Sequence, residues 1–356
     1  MPLILAPLRK SGGSSFLRNL ITVPVFPFSR IDIGVNLTGC QSPYTCCMKP
    51  RPIIKALFRT LLFGFVVVNL ALQAPFAHAW GNDGHRIINR LAATSLPADA
   101  PAFLRSERVL NEIEYLGPEP DRWRSSAEPE LNAAQAPEHF IDLEPADALG
   151  TLPHKRFDFE ARVYAAGDRP DRIGLQPWET TEVWERLKAA MRAYRAMLAN
   201  HENTAPVEQA IVFYAGWLGH YVGDGSNPLH TTVQYNGWTG PNPNVYTTAH
   251  QIHYQFESPF ITANIHRPEV AARMSPVKAI DGDMFDAYVA YLRQSASHIE
   301  KVYQFEKAGG FVGEGSADSR AFAAERLAAG ASMLRDMIYS AWLDSAKPVQ
   351  DRYADK

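Results

Sequence analysis

Two histidines are each followed four residues later by a carboxylate: His220 by Asp224, and His253 by Glu257. On a helix that spacing puts both side chains on one face, about one turn apart. A neutral imidazole and a carboxylate placed this way can hold one borderline-soft cation such as zinc. His230 comes just after Asn227-Pro228, which ends the helix, and can turn into the same pocket. Upstream lie His139-Phe140-Ile141-Asp142 and Asp121-Arg122-Trp123-Arg124. Further upstream, Trp80-Gly81-Asn82-Asp83-Gly84-His85 follows Ala77-His78-Ala79, a small-residue pattern of the kind signal peptidase cuts. Cleavage after Ala79 would make Trp80 the first residue, and its free α-amine and carbonyl oxygen could then chelate a metal together with His85. One His-x-x-x-Asp pair is more often an exposed hydrogen-bonded pair than a metal site. The conjunction carries more weight: Trp80, His85, Asp121, His139, His220, Asp224, His230, His253 and Glu257 suffice for a three-metal cluster with only nitrogen and oxygen ligands.

The segment before Trp80 reads as an export signal. Met48 is followed by Lys49, Arg51, Lys55 and Arg59, then by an apolar run from Leu61 to about Leu72. That run is short for a membrane span and is soon ended by Pro75. Residues 48–79 therefore predict a complete signal peptide and an exported protein, periplasmic or extracellular. Residues 1–47 have no place in such a leader, and translation is expected to begin at Met48.

All three cysteines (Cys40, Cys46 and Cys47) precede Met48, so residues 80–356 contain none. A disulfide-free secreted domain needs a good core or bound metal. Eight of the 35 basic residues and one of the 38 acidic residues precede Trp80, which leaves 27 against 37 and a net charge of −10 for residues 80–356. Bulk charge does not draw polyanions to such a chain, so a phosphate site must be locally positive. Three zinc ions would bring six positive charges there.

The elements that must position these residues read as helices. Apolar spacing predicts helices over 84–95, 101–116 and 178–200, the last with Trp184, Leu187, Met191, Tyr194 and Leu198 on one stripe. Residues 205–223 are apolar on several faces, as in a central buried helix, and Phe213, Tyr214 and Trp217 read as core. Further helices are expected near 249–262, 267–274, 281–305 and 317–344. Residues 144–177 and 233–248, rich in Pro and Gly, read as loops, either substrate rim or plain surface excursion.

The ordered motifs resemble a zinc-dependent family: the N-terminal Trp with its near His, the Gly-His-x-x-Gly-Asp and Pro-Leu-His block over 219–230, and the final His-x-x-x-Glu pair. That family joins the single-strand-specific nucleases of the S-one/P-one type with the bacterial zinc phospholipases C. The resemblance implies an all-α fold, a single multi-helix domain over 80–356 with three zinc ions at the base of a cleft. It implies one zinc on Asp121, His139, His220 and Asp224. A second would sit on Trp80 and His85 with Asp224 as bridge, and a third on His230, His253 and Glu257. His154, His201, His250, His266 and His298 have no matching position and read as ordinary histidines.

The implied activity is hydrolysis of phosphodiesters, with zinc acidifying a water and neutralising phosphoryl charge. Within the resemblance, Arg124 matches the nuclease arginine that contacts the scissile phosphate, with Asp121 beside it. Phe140 and Asp142 match the residues that stack on a base and bind its edge. Arg122 stands where the phospholipases place an aromatic for choline, and a cation there should repel choline. Glu257 points the other way, because it is the phospholipase choice where nucleases use Asp. The leading expectation is an exported endonuclease for single-stranded DNA and RNA that leaves 5′-phosphates and also acts as a 3′-nucleotidase. It would have no stable protein partner and no membrane anchor after cleavage. The alternatives are a zinc phospholipase C and a non-catalytic protein whose metal cluster only stabilises the fold.

Overall fold

The structure, a computed structural model, describes residues 80–349. The expected leader over 48–79 and the extension 1–47 lie outside the described residues. Among those described, no strand forms beyond two isolated bridges, Ile141 with Gly174 and Tyr235 with Gly237. The fold is all-α, a single helical domain, as the patterning predicts.

Five long helices build the core: α1 (Gly81–Thr94), α2 (Glu107–Leu116), α8 (Gln176–Ala199), α9 (Ala205–Ser226) and α15 (Ala317–Asp344). Helix α9 is central and packs on α8, α15, α2 and α1. From Leu218 to Ser226 it is buried on every side, which accounts for its apolar residues on several faces. Helix α15 is enclosed in the same way and is tied to α8 where the Trp184 indole donates to the Met337 carbonyl at 2.9 Å. The predicted stripe on α8 is buried from Trp184 to Tyr194, while Leu198 at its end is exposed.

Two glycines of α9 set how closely α1 can approach. A Cβ on Gly219 would fall 1.9 Å from Asn89 Oδ1, and one on Gly223 would fall 2.9 Å from His85 Nδ1. Removing those two Cβ atoms lets His85 on α1 sit against the end of α9 that carries His220 and Asp224. Asn89 fixes the crossing by donating to the Ile113 carbonyl at 2.9 Å and the Gly216 carbonyl at 3.0 Å.

The structure corrects several boundaries. Residues 144–177 are not a loop but hold α5 (Leu143–Ala148), α6 (Arg156–Ala165) and α7 (Pro170–Ile173). Pro145, Pro170 and Pro177 sit in first helical turns, where a missing N–H costs nothing, so they start helices rather than break them. Ser258-Pro259 divides the expected 249–262 helix into α10 (Ile252–Glu257) and α11 (Pro259–Asn264), and α12 (Arg267–Ala271) follows. Expected helix 281–305 divides at Ser297-His298 into α13 (Met284–Ala296) and α14 (Ile299–Lys307). Expected helix 101–116 opens as a 3-10 turn, because the Ser106 hydroxyl caps α2 by accepting from the Val109 N–H. Of the three aromatics read as core, Tyr214 and Trp217 pack against it from the edge and Phe213 does not join it. Phe213 is exposed and the other two half-buried, with Trp123 packed edge-on to Trp217 at 5.4 Å.

The loop at 233–248 does lack helix. It is pinned by aromatic packing, with Trp238 5.1 Å and Tyr246 5.5 Å from the Tyr303 ring.

Candidate metal centre and cleft

The carboxyl-terminal turns of α9 present His220 and Asp224 on one face, as their spacing requires. His85 Nε2 lies 3.3 Å from one Asp224 oxygen and His220 Nε2 lies 3.4 Å from the other. Asp224 thus faces two histidines with two different oxygens, the geometry of a bridging carboxylate. Asp121, on the short helix α3 (Glu119–Trp123), places Oδ1 3.8 Å from His139 Nε2 and 3.9 Å from His220 Nε2. A third group stands on α10 and the turn after α9. There His253 Nε2 is 2.8 Å from Glu257 Oε2, and His230 Nε2 is 3.6 Å from the same oxygen and 3.1 Å from His253 Nε2. Tetrahedral ligands at about 2.0–2.1 Å from zinc stand roughly 3.3 Å apart. The observed gaps are of that size.

Four of the histidines are held for ligation by the backbone. Nδ1 of His139 meets the Gln135 carbonyl at 2.8 Å, His220 the Gly117 carbonyl at 2.9 Å, His230 the His139 carbonyl at 2.7 Å, and His253 the Tyr235 carbonyl at 3.1 Å. Donation from Nδ1 leaves each Nε2 as the lone-pair nitrogen, pointing into its group. His139 Nε2, His220 Nε2 and both Asp224 oxygens are buried with no hydrogen-bond partner among the described residues. Buried polar atoms are nearly always satisfied, and a divalent cation would satisfy these. The three buried groups, His85–His220–Asp224, Asp121–His139–His220 and His230–His253–Glu257, therefore fit metal ions.

Electrostatics agrees. Burial, with added repulsion from Arg124, drives the His139 pKa down to about 3. Burial, and then His85, takes His220 well below the usual imidazole range. Burial, reinforced by Asp121 and Glu257, pushes Asp224 well above the carboxylate range. Neutral imidazoles are the ligating form, and a cation is what would return Asp224 to its anion. The third group differs. Burial opposes charge on both partners, yet mutual attraction wins, so the His253 pKa is raised and the Glu257 pKa lowered.

Trp80 is fully buried and held by its indole, whose N–H meets the Gly223 carbonyl at 2.7 Å and Ser226 Oγ at 2.8 Å, on either side of Asp224. Its ring also packs 5.2 Å from Phe256, next to Glu257. Its φ of 48° is in the left-handed region, a costly conformation for so bulky a residue.

A cleft of about 390 Å³ opens over His139, His230 and His253. Its other walls are Arg124, Phe140, Asp142, Arg172, Leu229, Tyr235 and Asn236. Between the 3-10 turn ending at His139 and α5 the chain is extended, and the N–H groups of Ile141, Asp142 and Leu143 reach in turn to His230, Ile173 and Thr231. Alternation puts Phe140 and Asp142 on the cleft side and Ile141 in the core. Burial and the charge of Glu144 raise Asp142 to about 7. Arg124 Nη1 is 3.9 Å from Asp121 Oδ1, at the edge of the metal groups.

Every residue expected to bind metal is thus buried at or beside these groups, and Arg124, Phe140 and Asp142 line the cleft above them. Arg122 departs from expectation. It pairs with Glu119, lies 4.4 Å over the Tyr115 ring and is not among the cleft residues, so it says nothing about choline. His201, His250 and His266 are exposed and His298 half-buried, and none belongs to the three buried groups. His154 is exposed and pairs with Asp283 and Asp286. Sequence reasoning missed Arg172 as a cleft residue, and it placed Tyr235 and Asn236 only within the 233–248 loop. It also missed Gln176, whose amide donates to the His139 carbonyl at 3.2 Å and the Tyr221 carbonyl at 3.1 Å. No spacing rule marks them, because each comes from a segment that reads as loop or helix start.

An all-helical chain that gathers three His/carboxylate groups under a cleft with an arginine at their edge fits a metal-dependent hydrolase of phosphate esters. The family model described as S1/P1 Nuclease matches residues 80–353, and the chain belongs to that family. Membership carries a nuclease activity, hydrolysis of phosphodiester bonds in nucleic acid, in a metal-dependent manner. No curated protein and no solved structure matches the chain.

Proposed function

We propose that the protein is an exported, tri-zinc endonuclease that cleaves single-stranded DNA and RNA to 5′-phosphorylated products and also removes 3′-phosphates from nucleotides. The observation that carries this reading is the junction of Arg124, Phe140 and Asp142 with the buried ligand groups in one cleft. One zinc would be held by Asp121, His139, His220 and Asp224, a second by Trp80, His85 and Asp224, and a third by His230, His253 and Glu257. Bound zinc supplies an acidified water and Lewis-acid neutralisation of phosphoryl charge. The chain's own residues do the rest. Arg124 aims a fixed guanidinium at the charge that develops on the scissile phosphate. Phe140 offers a ring face to a base, which suits single strands of any sequence. Asp142, with a pKa of about 7, is poised to donate or accept at the base edge.

Residues 48–79 are read as the export signal and Trp80 as the first residue of the mature protein, with its amine and carbonyl as ligands; translation starts at Met48. In support, the family match begins at Trp80, and its indole anchors it beside Asp224. No described helix is long and apolar enough to cross a membrane. The mature protein would be periplasmic or extracellular and would need no protein partner.

Glu257 favours the second reading, a phospholipase C. Protein beginning at Trp80 should be assayed on single-stranded DNA and on a phosphatidylcholine analogue, each with and without chelator. The expected result is chelator-sensitive cleavage of DNA alone. Cleavage of the lipid alone would overturn the nuclease reading. Zinc-loaded protein inert on both would point to a structural cluster.

A further inference from the structure

We infer that Arg172 is a second phosphate contact, which fits the cleft best to a nucleotide flanked by phosphates on both sides, a 3′-nucleotide engaging only the Arg124 side. This rests on the nuclease reading above.

Arg172 lines the same cleft as Phe140 and Asp142 but rises from α7, whereas Arg124 comes from the end of α3. Its backbone is fixed relative to Phe140. The Asp142 N–H meets the Ile173 carbonyl at 2.7 Å, and the Gln176 N–H meets the Phe140 carbonyl at 3.2 Å. Between them, Ile141 bridges Gly174, where a Cβ would fall 2.1 Å from the Phe140 oxygen. The nearest acid in sequence is already committed: Arg169 grips Asp171 through two hydrogen bonds of 2.9 and 2.8 Å. The exposed Arg172 side chain makes no hydrogen bond or ion pair with any described residue.

The cleft therefore has two cations with different tasks. Arg124 belongs to the metal groups and to the phosphate being cut. Arg172 shares the cleft wall with Phe140, so its guanidinium would meet the next phosphate of a strand stacked on that ring. A guanidinium takes a phosphate bidentately. Residues 80–356 carry a net −10, so a local cation in the cleft helps to hold a polyanion.

The test compares a phosphorothioate-linked dinucleotide with and without a 5′-phosphate, measuring Kd on metal-loaded wild type, Arg172→Ala and Arg172→Lys, followed by kcat/KM on the hydrolysable pair. The wild type should prefer the 5′-phosphorylated form. Arg172→Ala should lower that preference roughly tenfold in both Kd and kcat/KM and make the salt slope of binding shallower by about 1. Arg172→Lys should restore part of it. An equal loss on both substrates would overturn the inference while leaving the nuclease reading standing. A loss confined to guanine-containing dinucleotides would overturn it in favour of a base reader. Wild type that binds and cleaves neither dinucleotide would overturn the nuclease reading and this inference together.

Discussion

The group around Asp224 and the group around Glu257 use the same residue types but solve opposite electrostatic problems. Around Asp224 the protein assembles neutral imidazoles and carboxylates whose charges it does not balance, and burial drives both kinds toward neutrality. Around Glu257 the imidazole of His253 and one carboxylate oxygen form an ion pair 2.8 Å long, although the other oxygen is buried with no hydrogen-bond partner among the described residues. In the first, a cation would supply the missing balance. In the second, a cation must displace a proton. Position matches chemistry: His230 and His253 line the cleft, whereas His85, His220 and Asp224 lie beneath it, fully buried.

This contrast orders the expected effects. Asp224→Asn removes a charge shared by two ligand groups, so metal analysis should show two ions lost. Turnover should fall on the order of 10³-fold or more, because each metal supplies several kcal/mol at the transition state. Retention of three ions would mean that Asp224 does not bridge. Glu257→Gln should release one ion, with a smaller loss of turnover; loss of all three would show that the groups are not separable. Arg124→Ala should release none and yet lower kcat by roughly 10²–10³-fold. Unchanged turnover would move Arg124 out of the reaction.

The mildest probe is pH. A raised His253 pKa means that the metal-free third group is stabilised by its proton below the usual imidazole range and loses that stability as pH rises through the folded pKa. The lowered His139 pKa has the opposite sign: with a folded value of about 3, its contribution erodes as pH falls below about 6.5. On acidification from pH 7, protons should compete first at the cleft-side group, so one equivalent of metal should leave before the other two. Simultaneous loss of all three would contradict the contrast.

The helical class was legible, and so was the gathering of eight His, Asp and Glu residues into buried groups, because particular residue types at particular spacings share a face and a helix turns spacing directly into geometry. His220 with Asp224 and His253 with Glu257 are local pairs of that kind. The cleft walls were not legible. Arg172 reaches the site through backbone pairing of Gly174 with Ile141, a contact between segments that no periodicity announces. Prolines read as loop marks over 144–177 turned out to open helices, since a first-turn proline and a loop proline look alike in sequence. Phe213 and Trp217 look like core for the same kind of reason: hydrophobicity does not say which side of a helix a neighbour will cover.

One peptide carbonyl has a consequence for how the protein fills. The oxygen of His139 accepts from the ring of His230 at 2.7 Å, while the His139 ring itself belongs to the Asp121 group. Seating an ion on His139 therefore steadies the residue that orients His230 in the neighbouring group, and the reverse holds by reciprocity. Metal titrated into stripped protein should therefore bind more tightly at one of these two groups once the other is filled. In a metal-poor medium the cleft-side ion would be the first to go, and its departure would loosen the grip on those beneath it.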